Sequence, residues 1–431
     1  MKKIHVTTLG CPKNIVDSEN LLGLLKINQF EIGQTPEEAD VLIINTCGFI
    51  NDAKEESIQA ILEALELKKN DPHKKVFVAG CLTQRYRKEI EQEIPEVDAI
   101  FGTEEYTEIL KALGRGHAAM DTLYRSRLIT TPRHYAYLKI SEGCNHTCAF
   151  CAIPAIRGKH RSKPMEQLVE EARVLAANGA KELIIVSQDT SYYGKDLYGK
   201  QSIVELLQRL EEVEGIEWIR VLYWYPTNFP MEVLHWMRES KKLLHYLDLP
   251  IQHVSQNVLQ KMRRAETRES IENILQTARK LVPDMTFRTT VIVGHPGERE
   301  EDFQELLQFV EAFRFDRLGS FLYSDEEGTA AFELTDKVPE QTARERQEQL
   351  MELQREISQE KNQRLIGQKY SVLIDEYNAE MNFYLARTYQ DAPEIDNEVI
   401  ILNPSGAELA VGHFAQVEIV DATEYELYAK I

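Results

Sequence analysis

The first third of the chain alternates short apolar runs with stretches whose apolar residues recur at helical spacing. The runs IHVTTL, DVLIIN and KVFVAG precede such stretches at residues 17–27, 52–69 and about 84–93. Apolar strands that alternate with amphipathic helices are typical of a small parallel sheet covered on both faces. We therefore predict a doubly wound α/β domain over residues 1–118.

A second series of strand and helix patterns runs from residue 130 to about 362. Its apolar runs are AYLKI, KELIIVSQ, IEWIRVLYW, LLHYLDLP, MTFRTTVIVG and RLGSFLYS, and helical segments separate them. Successive βα units of this number predict a partial (β/α)6 barrel, in which active-site groups lie at the carboxyl ends of the strands. A charged helix at about 339–365 links this domain to the last one.

The last segment, residues 366–431, has a different pattern. Its strand-like pieces are KYSVLIDEY, FYLARTY, EVIILN and FAQVEIVDATEYELYAKI, with Gly and Pro at the turns. Short strands separated by turn residues predict a small antiparallel β-barrel.

Charge narrows the choice of partners. The 431 residues include 50 Lys and Arg against 70 Asp and Glu, which gives a formal net charge of −20. Such a surface repels phosphate and favours cationic partners. The last segment alone has 3 basic residues and 12 acidic ones. We therefore expect this β-barrel to attract a basic protein and not to bind RNA directly.

The chain lacks the sequence signals of a membrane or exported protein. Its apolar runs fall short of the roughly 18 residues that suggest a membrane span. The residues before Cys11 also lack the apolar core of a lipoprotein signal. Six cysteines without an export signal indicate a reducing compartment, where thiols serve metals or redox chemistry. We expect a soluble, cytoplasmic protein with no membrane contact.

Three cysteines of the first domain each follow a predicted strand. Cys11 follows IHVTTLG, Cys47 follows LIINT and Cys81 follows VFVAG. Because the carboxyl ends of parallel strands meet at one edge of a sheet, the three thiols are predicted to form one ligand set there. The glycines at positions 10, 48 and 80 would allow the backbones to approach closely. The alternative is that small cysteines simply pack well after strands.

The second domain carries a tighter cysteine group. Cys144, Cys148 and Cys151 form a C-x3-C-x2-C triplet directly after the run AYLKI. Three thiolates without a fourth Cys or a following pair of His residues do not complete a structural zinc site. They would leave one iron of a [4Fe-4S] cube without a protein ligand, and that iron would be free to react. A catalytic zinc with one water position is the inorganic alternative.

Polar residues also follow the predicted strands of the second domain. They are Gln188, Asp189, Gln252, His253, Glu298 and Ser324. Together they would line one rim of the barrel, although each alone also fits a solvated or helix-capping role. His253 fits an ordinary hydrogen-bonded histidine, and we assign it no catalytic role. Arg157 and Lys159 fit two interpretations, either partners for carboxylates of cofactor or substrate, or a solvated basic turn.

These motifs resemble those of a known family. The C-x3-C-x2-C triplet, with Phe150 before its last cysteine, and the later GHPGE resemble the radical S-adenosylmethionine (SAM) enzymes. The three-cysteine first domain and the C-terminal β-barrel, similar to a TRAM domain, resemble the methylthiotransferase branch. Within it, LGCPKNIVDSE and KISEGCNHTCAFCAIPAIRG are similar to the members that methylthiolate an aspartate of small-subunit ribosomal protein twelve. The tRNA-modifying members usually carry Gln-Met-Asn after the first cysteine, where this chain has Pro-Lys-Asn. In the GHPGE motif, His295 stands where members of the family more often have Phe.

The resemblance implies cofactors and site residues. One [4Fe-4S] cluster would be held by Cys144, Cys148 and Cys151, and its open iron would bind SAM. Reductive cleavage of SAM would give a radical that takes hydrogen from the β-carbon of the substrate aspartate. Cys11, Cys47 and Cys81 would hold a second cluster at the barrel mouth, where a sulfur is methylated by another SAM and then transferred. The implied SAM contacts are Ser187, Gln188, Asp189, Gln252, Gly294, Gly297 and Glu298.

The resemblance also implies binding partners, and two alternative functions remain. The partners would be the basic ribosomal protein or the assembling subunit, and an electron donor. A tRNA adenosine methylthiotransferase would use the same chemistry, but the acidic C-terminal barrel argues against it. A non-catalytic iron-sulfur redox sensor is the rival from another class, and it would form no 5′-deoxyadenosine.

Overall fold

The N-terminal part of the chain is a parallel sheet covered by helices. The structure, a computed structural model, describes residues 2–115, 123–402 and 408–431. The five strands, in the order β2-β1-β3-β4-β5, are β1 (Lys3–Thr8), β2 (Glu31–Ile32), β3 (Val41–Thr46), β4 (Lys75–Gly80) and β5 (Ala99–Ile100). The helices are α1 (Pro12–Ile27), α2 (Asn51–Asn70), α3 (Cys81–Glu93) and α4 (Tyr106–Ala112).

The predicted doubly wound sheet is confirmed. The central strand β3 is buried along its whole length, because helices cover both of its faces. Two apolar clusters, one on each face, form the core. Two helices begin earlier than predicted: α1 starts at Pro12, whose fixed φ suits the first helical position, and α3 starts at Cys81 itself. The predicted boundary at residue 118 lies outside the described residues.

The central part is a six-stranded partial barrel, as predicted. It consists of two parallel three-stranded sheets, β10-β9-β6 and β11-β12-β13, which an isolated bridge between Ile219 and Leu243 connects. The principal strands are β6 (Tyr135–Lys139), β9 (Glu182–Val186), β10 (Trp218–Val221), β11 (Tyr246–Asp248), β12 (Thr286–Val293) and β13 (Arg317–Leu322). The short strands β7 (Ser141–Glu142) and β8 (Arg161–Ser162) pair outside the barrel.

Helices surround the barrel and enclose a continuous apolar core. They are α6 (Ile153–Arg157), α7 (Met165–Ala177), α8 (Lys195–Tyr198), α9 (Ile203–Glu211), α10 (Glu232–Glu239), α11 (Gln256–Lys261), α12 (Arg268–Leu281) and α13 (Glu300–Phe313), with a 3₁₀ turn at Thr190–Tyr192. Before the barrel comes α5 (Leu123–Ser126), and after it the long helix α14 (Glu340–Gln363). Among the described residues, none of the helices is long and apolar enough to cross a membrane.

The C-terminal part is a closed five-stranded barrel in the order β14-β15-β16-β18-β17. Its strands are β14 (Lys369–Asn378), β15 (Phe383–Arg387), β16 (Glu398–Leu402), β17 (Phe414–Ala422) and β18 (Glu426–Lys430). The predicted barrel is confirmed, with one difference in strand direction. β16 and β18 pair in parallel, because the chain crosses to β17 and returns as a hairpin before it meets β16 again.

Counting charges in the sequence overstated the acidity of the C-terminal barrel surface. Of its 12 acidic residues, Asp375, Asp391, Glu394 and Asp396 point towards the central barrel and bind its residues or Arg387. Asp391, for example, pairs with Arg317 and is fully buried. The carboxylates that remain available to a partner therefore number fewer than the sequence suggests, although they still outnumber the basic residues.

Arg387 holds the two barrels together. Its guanidinium lies 2.7 Å from Glu182 on β9 and 2.7 Å from Asp375 on β14, and Glu182 also pairs with Arg220. Arg387 is only 3% exposed. A charge buried in this way is tolerated only when it is paired and hydrogen-bonded, so the loss of one partner is costly.

We predict that Arg387→Ala weakens the docking of the C-terminal barrel. The change leaves Glu182 with one cation fewer and should lower the free energy of unfolding by about 3–5 kcal/mol. Urea unfolding followed by tryptophan fluorescence measures this, since Trp218 packs edge-on against Phe414 at the same interface. Lys430→Ala, which removes an exposed pair with Glu418, is the control and should cost at most about 1 kcal/mol. Equal effects of the two changes would contradict the prediction.

Candidate functional site

The three N-terminal cysteines lie at the carboxyl edge of the first sheet, as predicted. Cys11 caps α1, Cys47 follows β3 and Cys81 begins α3. A Cβ atom added to Gly10, which has a φ of +89°, would lie 2.7 Å from Cβ and 3.0 Å from Sγ of Cys47. One added to Gly48 would lie 2.6 Å from Cα of Leu82. Only glycine permits the three loops to approach so closely.

Two polar residues fix these loops. Asn14 of α1 donates from its amide to the carbonyls of Leu9 and Thr46, at 2.9 and 3.1 Å, and its oxygen lies 3.6 Å from the Cys81 sulfur. The hydroxyl of Ser57 accepts from the N–H of Cys47 and donates to its carbonyl. Sequence reasoning missed both residues, although an Asn three residues after Cys11 was a visible signal.

The N-terminal thiols affect one another electrostatically. Burial raises the pKa of Cys47, and it raises the pKa of Cys81 to about 12. A thiolate at Cys11 raises the pKa of both further, whereas the nearby Arg157 lowers both. Burial therefore favours the protonated thiols of Cys47 and Cys81 unless a cation shares their charge.

The second cysteine group lies in the loop that follows β6 and β7. The N–H of Cys144 donates to the carbonyl of Gly158, and the N–H of Cys151 donates to the carbonyl of Cys148, each at 3.1 Å. Burial raises the pKa values of Cys144 and Cys151 to about 12. A thiolate at Cys148 raises the pKa of both further, while the nearby Arg264 lowers both.

Aromatic and charged residues that the sequence analysis did not single out surround this triplet. The Tyr225 hydroxyl lies 3.4 Å from the Cys148 sulfur, and the Tyr225 ring stacks on His146 with centroids 3.6 Å apart. Arg264 covers the other side of the same ring. His146 in turn lies 2.8 Å from Asp189. A C-x3-C-x2-C spacing cannot reveal these neighbours, because Tyr225 and Arg264 come from distant strands and loops.

The two cysteine groups lie on either side of one interface. Cys81 packs against Ala152 and Ile156, which follow Cys151 directly in the chain. Arg157, at the end of α6, donates to the Cys81 sulfur at 3.2 Å. The carboxyl edges of the sheet and of the barrel therefore face each other at this interface.

Arg157 is neither a solvated turn residue nor free for a ligand carboxylate. Its side chain is 2% exposed and pairs with Asp17 of α1 at 2.7 Å and with Glu142 at 3.1 Å. Lys139 also pairs with both carboxylates. Of the two basic residues after the triplet, only Lys159 is exposed.

The polar residues at the barrel rim fall into two groups. Some are fully engaged within the protein: Ser187 bonds Thr190, and Ser324 donates to Glu326. In contrast, the side-chain oxygens of Gln188 and Gln252 are buried without a hydrogen-bond partner among the described residues. A buried polar atom without a partner is costly, so these two oxygens indicate a ligand at the strand ends.

The GHPGE loop after β12 is fixed by Glu298. One carboxylate oxygen accepts from the N–H of Gly294 at 2.9 Å, and the other pairs with Arg346 of α14 at 2.7 Å. Burial outweighs these contacts and raises the pKa of Glu298 to about 7. Among the predicted SAM contacts, Glu298 therefore serves first to hold the loop.

The two histidines near this loop are buried and neutral. Burial lowers the pKa of His253 to about 3 and that of His295 to about 4. The His253 ring accepts from the N–H of Ser255, in agreement with a structural role. His295 packs edge-on against Phe150 and Tyr323. The neutral imidazole thus makes aromatic packing contacts at the position where the resembling family more often has a phenylalanine.

A cavity of about 650 Å³ opens beside the carboxyl end of β13. It is bordered by the start of α2, by Gly294 of the GHPGE loop and by Tyr323 and Ser324, with α14 on its far side. A volume of this size lies within the range of small-molecule and cofactor sites in proteins.

The donor set of each triplet fits an iron-sulfur cluster. All six cysteines are free thiols, and thiolates are the ligands such clusters use. No three of the His, Cys, Asp and Glu side chains in the described part of the chain converge closely enough for a single metal ion. The fit to a cluster therefore rests on the chemistry of the thiols, whereas the buried oxygens of Gln188 and Gln252 bear on a ligand at the strand ends.

Comparison with protein families assigns all three parts of the chain. Residues 3–102 match the family described as Uncharacterized protein family UPF0004, residues 138–310 match the Radical SAM superfamily, and residues 366–431 match the TRAM domain.

Relatives match along nearly the whole chain. The chain is 49% identical over 428 residues to the ribosomal protein uS12 methylthiotransferase RimO of Christiangramia forsetii, covering 99% of this chain and 94% of the relative. It is 50% identical over 426 residues to the RimO of Aquifex aeolicus, covering 99% and 96%.

Solved structures agree at the level of the fold. The radical SAM methyltransferase TsrM of Kitasatospora setae, solved with tryptophan and a SAM analogue, has a TM-score of 0.55 at 12% identity, covering 74% of this chain and 73% of that one. The cobalamin-dependent radical SAM enzyme OxsB, in its apo form, has a TM-score of 0.54 at 13% identity, covering 82% and 56%.

We predict that Glu298 makes stability depend on pH. Because the folded protein holds this proton up to about pH 7 and the unfolded chain releases it near its ordinary pKa of 4.5, the contribution of Glu298 to stability falls as pH rises between these values. The loss should approach about 3 kcal/mol. Urea unfolding of the apoprotein at pH 5 and pH 7.5 should show a smaller change for Glu298→Gln than for the unmodified chain. An unaltered pH dependence in Glu298→Gln would contradict the assignment.

Proposed function

The chain belongs to the RimO family of ribosomal protein uS12 methylthiotransferases in the radical SAM superfamily, and on this premise we propose that it methylthiolates the β-carbon of an aspartate in ribosomal protein uS12. The reaction replaces one C–H bond of the substrate with a C–S bond that carries a methyl group. The hydrogen leaves on 5′-deoxyadenosine, a second SAM gives the methyl group, and the N-terminal site would supply the sulfur. An external reductant supplies the electron that cleaves the first SAM, and the electron released when the carbon radical forms the C–S bond would pass to the N-terminal site.

The observation that carries the proposal is the meeting of the two cysteine groups. Arg157 follows the barrel triplet by a single short helix and touches the sulfur of Cys81 from the other domain. A sulfur site at this position would face the barrel mouth, where the substrate carbon reacts. A sensor would have no need to bring two such sites to one interface.

The barrel residues fit the SAM site. A cluster held by Cys144, Cys148 and Cys151, with SAM bound, would supply a primary carbon radical able to take hydrogen from an unactivated carbon. The unpartnered oxygens of Gln188 and Gln252 suit the donor groups of SAM. The backbone of the loop 294–298 would complete the site, while Glu298 holds that loop in place.

The N-terminal residues fit the sulfur site. Cys11, Cys47 and Cys81 would hold a second [4Fe-4S] cluster and leave one iron open for the transferred sulfur. Asn14 and Ser57 hold the cysteine loops, so that the thiols keep their positions.

The charge of the chain suits a basic protein substrate. The net charge is −20, and exposed carboxylates remain on the C-terminal barrel after those at the domain interface are set aside. Such a surface steers a cationic partner and opposes the dense phosphates of tRNA.

Single substitutions should separate the two sites. We predict that Cys148→Ala abolishes 5′-deoxyadenosine formation, because the first cluster would lose a ligand. Cys47→Ala should retain 5′-deoxyadenosine formation and lose methylthio transfer. Chromatography of the cofactor products and mass spectrometry of the substrate measure both steps. Methylthio transfer by Cys47→Ala would show that the N-terminal thiols do not hold the sulfur.

The substrate can be decided in a single competition. We predict that anaerobically reconstituted enzyme, given SAM, a reductant, uS12 and tRNA together, adds a methylthio group to an aspartate of uS12 and leaves tRNA unmodified. Mass spectrometry of each product reads the outcome. Modification of tRNA alone would support the proposed reaction but contradict uS12 as its substrate. The absence of 5′-deoxyadenosine would favour a non-catalytic redox sensor.

A further inference from the structure

Arg157 has a role that its position after the radical SAM triplet does not suggest. It belongs to the barrel, yet its guanidinium reaches across the domain interface and donates to the sulfur of Cys81 at 3.2 Å. The same guanidinium bonds the amide oxygen of Asn14, which fixes the cysteine loops. One residue of the SAM domain thus contacts both a thiol and the support of the other site.

The surroundings leave Arg157 no freedom to turn away. Asp17 and Glu142 pair with it from opposite sides of the interface, and its side chain is 2% exposed. The helix α6 that carries it packs through Ala152 and Ile156 on Cys81. The hydrogen bond to sulfur is therefore imposed by the fold.

The charges balance only with Arg157 present. Two cations, Arg157 and Lys139, face two carboxylates, Asp17 and Glu142. Removal of Arg157 would leave a net negative charge buried beside the Cys81 sulfur. Hydrogen bonds to ligand sulfurs and nearby positive charge both raise the reduction potential of an iron-sulfur cluster.

We propose that Arg157 is a positioning residue of the N-terminal sulfur site, which holds the Cys81 sulfur towards the barrel and sets the reduction potential of the cluster bound there. This inference rests on the proposed second cluster. A residue of the SAM domain would thus control the site that supplies the sulfur.

The test measures the potential of the N-terminal cluster alone. The full-length chain with Cys144→Ala, Cys148→Ala and Cys151→Ala retains only the N-terminal ligands, and a redox titration followed by EPR gives the midpoint potential. Arg157→Gln in this background should shift the midpoint to more negative values. Arg157→Lys keeps the charge but cannot make all the bonds at once, so it should give a smaller shift in the same direction.

Two control variants separate this role from simple stabilisation of the interface. Arg127→Gln removes other buried ion pairs between α1 and the barrel helix α7, with Glu19 and Glu171, and should leave the midpoint unchanged. Asp17→Asn breaks the ion pair with Arg157 but leaves the donor near Cys81, so it should not make the midpoint more negative. If Asp17→Asn and Arg157→Gln gave the same negative shift, Arg157 would act only through the interface, and the inference would fall.

Measurement of the iron and sulfide content distinguishes failure of the inference about Arg157 from failure of the proposed second cluster. An unchanged midpoint in Arg157→Gln with full iron content would overturn the inference and leave the proposed function intact. If the background chain with Arg157 present bound no cluster, the proposed second cluster itself would fail. Should Arg157→Gln not fold, Arg157→Lys decides, and an unchanged midpoint there would count against the inference.

Discussion

The pairing of buried charges between α1 and the central barrel is the constraint on which the site depends. Removing Asp17, Lys139, Glu142 and Arg157 from water is costly, and their mutual ion pairs offset much of that cost. The two pairs of Asp17, with Lys139 and Arg157, form only when the first sheet and the barrel meet by their carboxyl edges. The charges that hold the domains together therefore also place two sets of thiols at one interface.

The local parts of this arrangement were readable from the sequence. Strand and helix periodicity predicted the sheet, the six-stranded barrel and the closed C-terminal barrel, and strand ends predicted where the cysteines lie. The long-range parts were not readable. Asp17 and Arg157 are 140 positions apart, so no local pattern marks Arg157 as buried rather than solvated. The acidic count of the C-terminal barrel misled for the same reason, since Asp391 and Asp396 have arginine partners in another domain.

The predicted cofactor contacts fall into two groups according to whether their polar atoms have hydrogen-bond partners within the protein. Ser187 and Glu298 have partners within the chain and shape the site, whereas the buried oxygens of Gln188 and Gln252 lack partners among the described residues. Sequence position alone treats the four residues alike, because all follow strands. Hydrogen-bond accounting separates residues that support the site from residues that await a ligand.

Whether two clusters occupy neighbouring sites can be measured by EPR of the anaerobically reconstituted protein with both clusters reduced. We expect about eight irons per chain and signals broadened by dipolar interaction between two cluster spins. In the chain with Cys11→Ala, Cys47→Ala and Cys81→Ala, about half of the iron should be lost and the remaining signal should sharpen. Two signals that neither broaden nor change on removal of the N-terminal ligands would contradict the account.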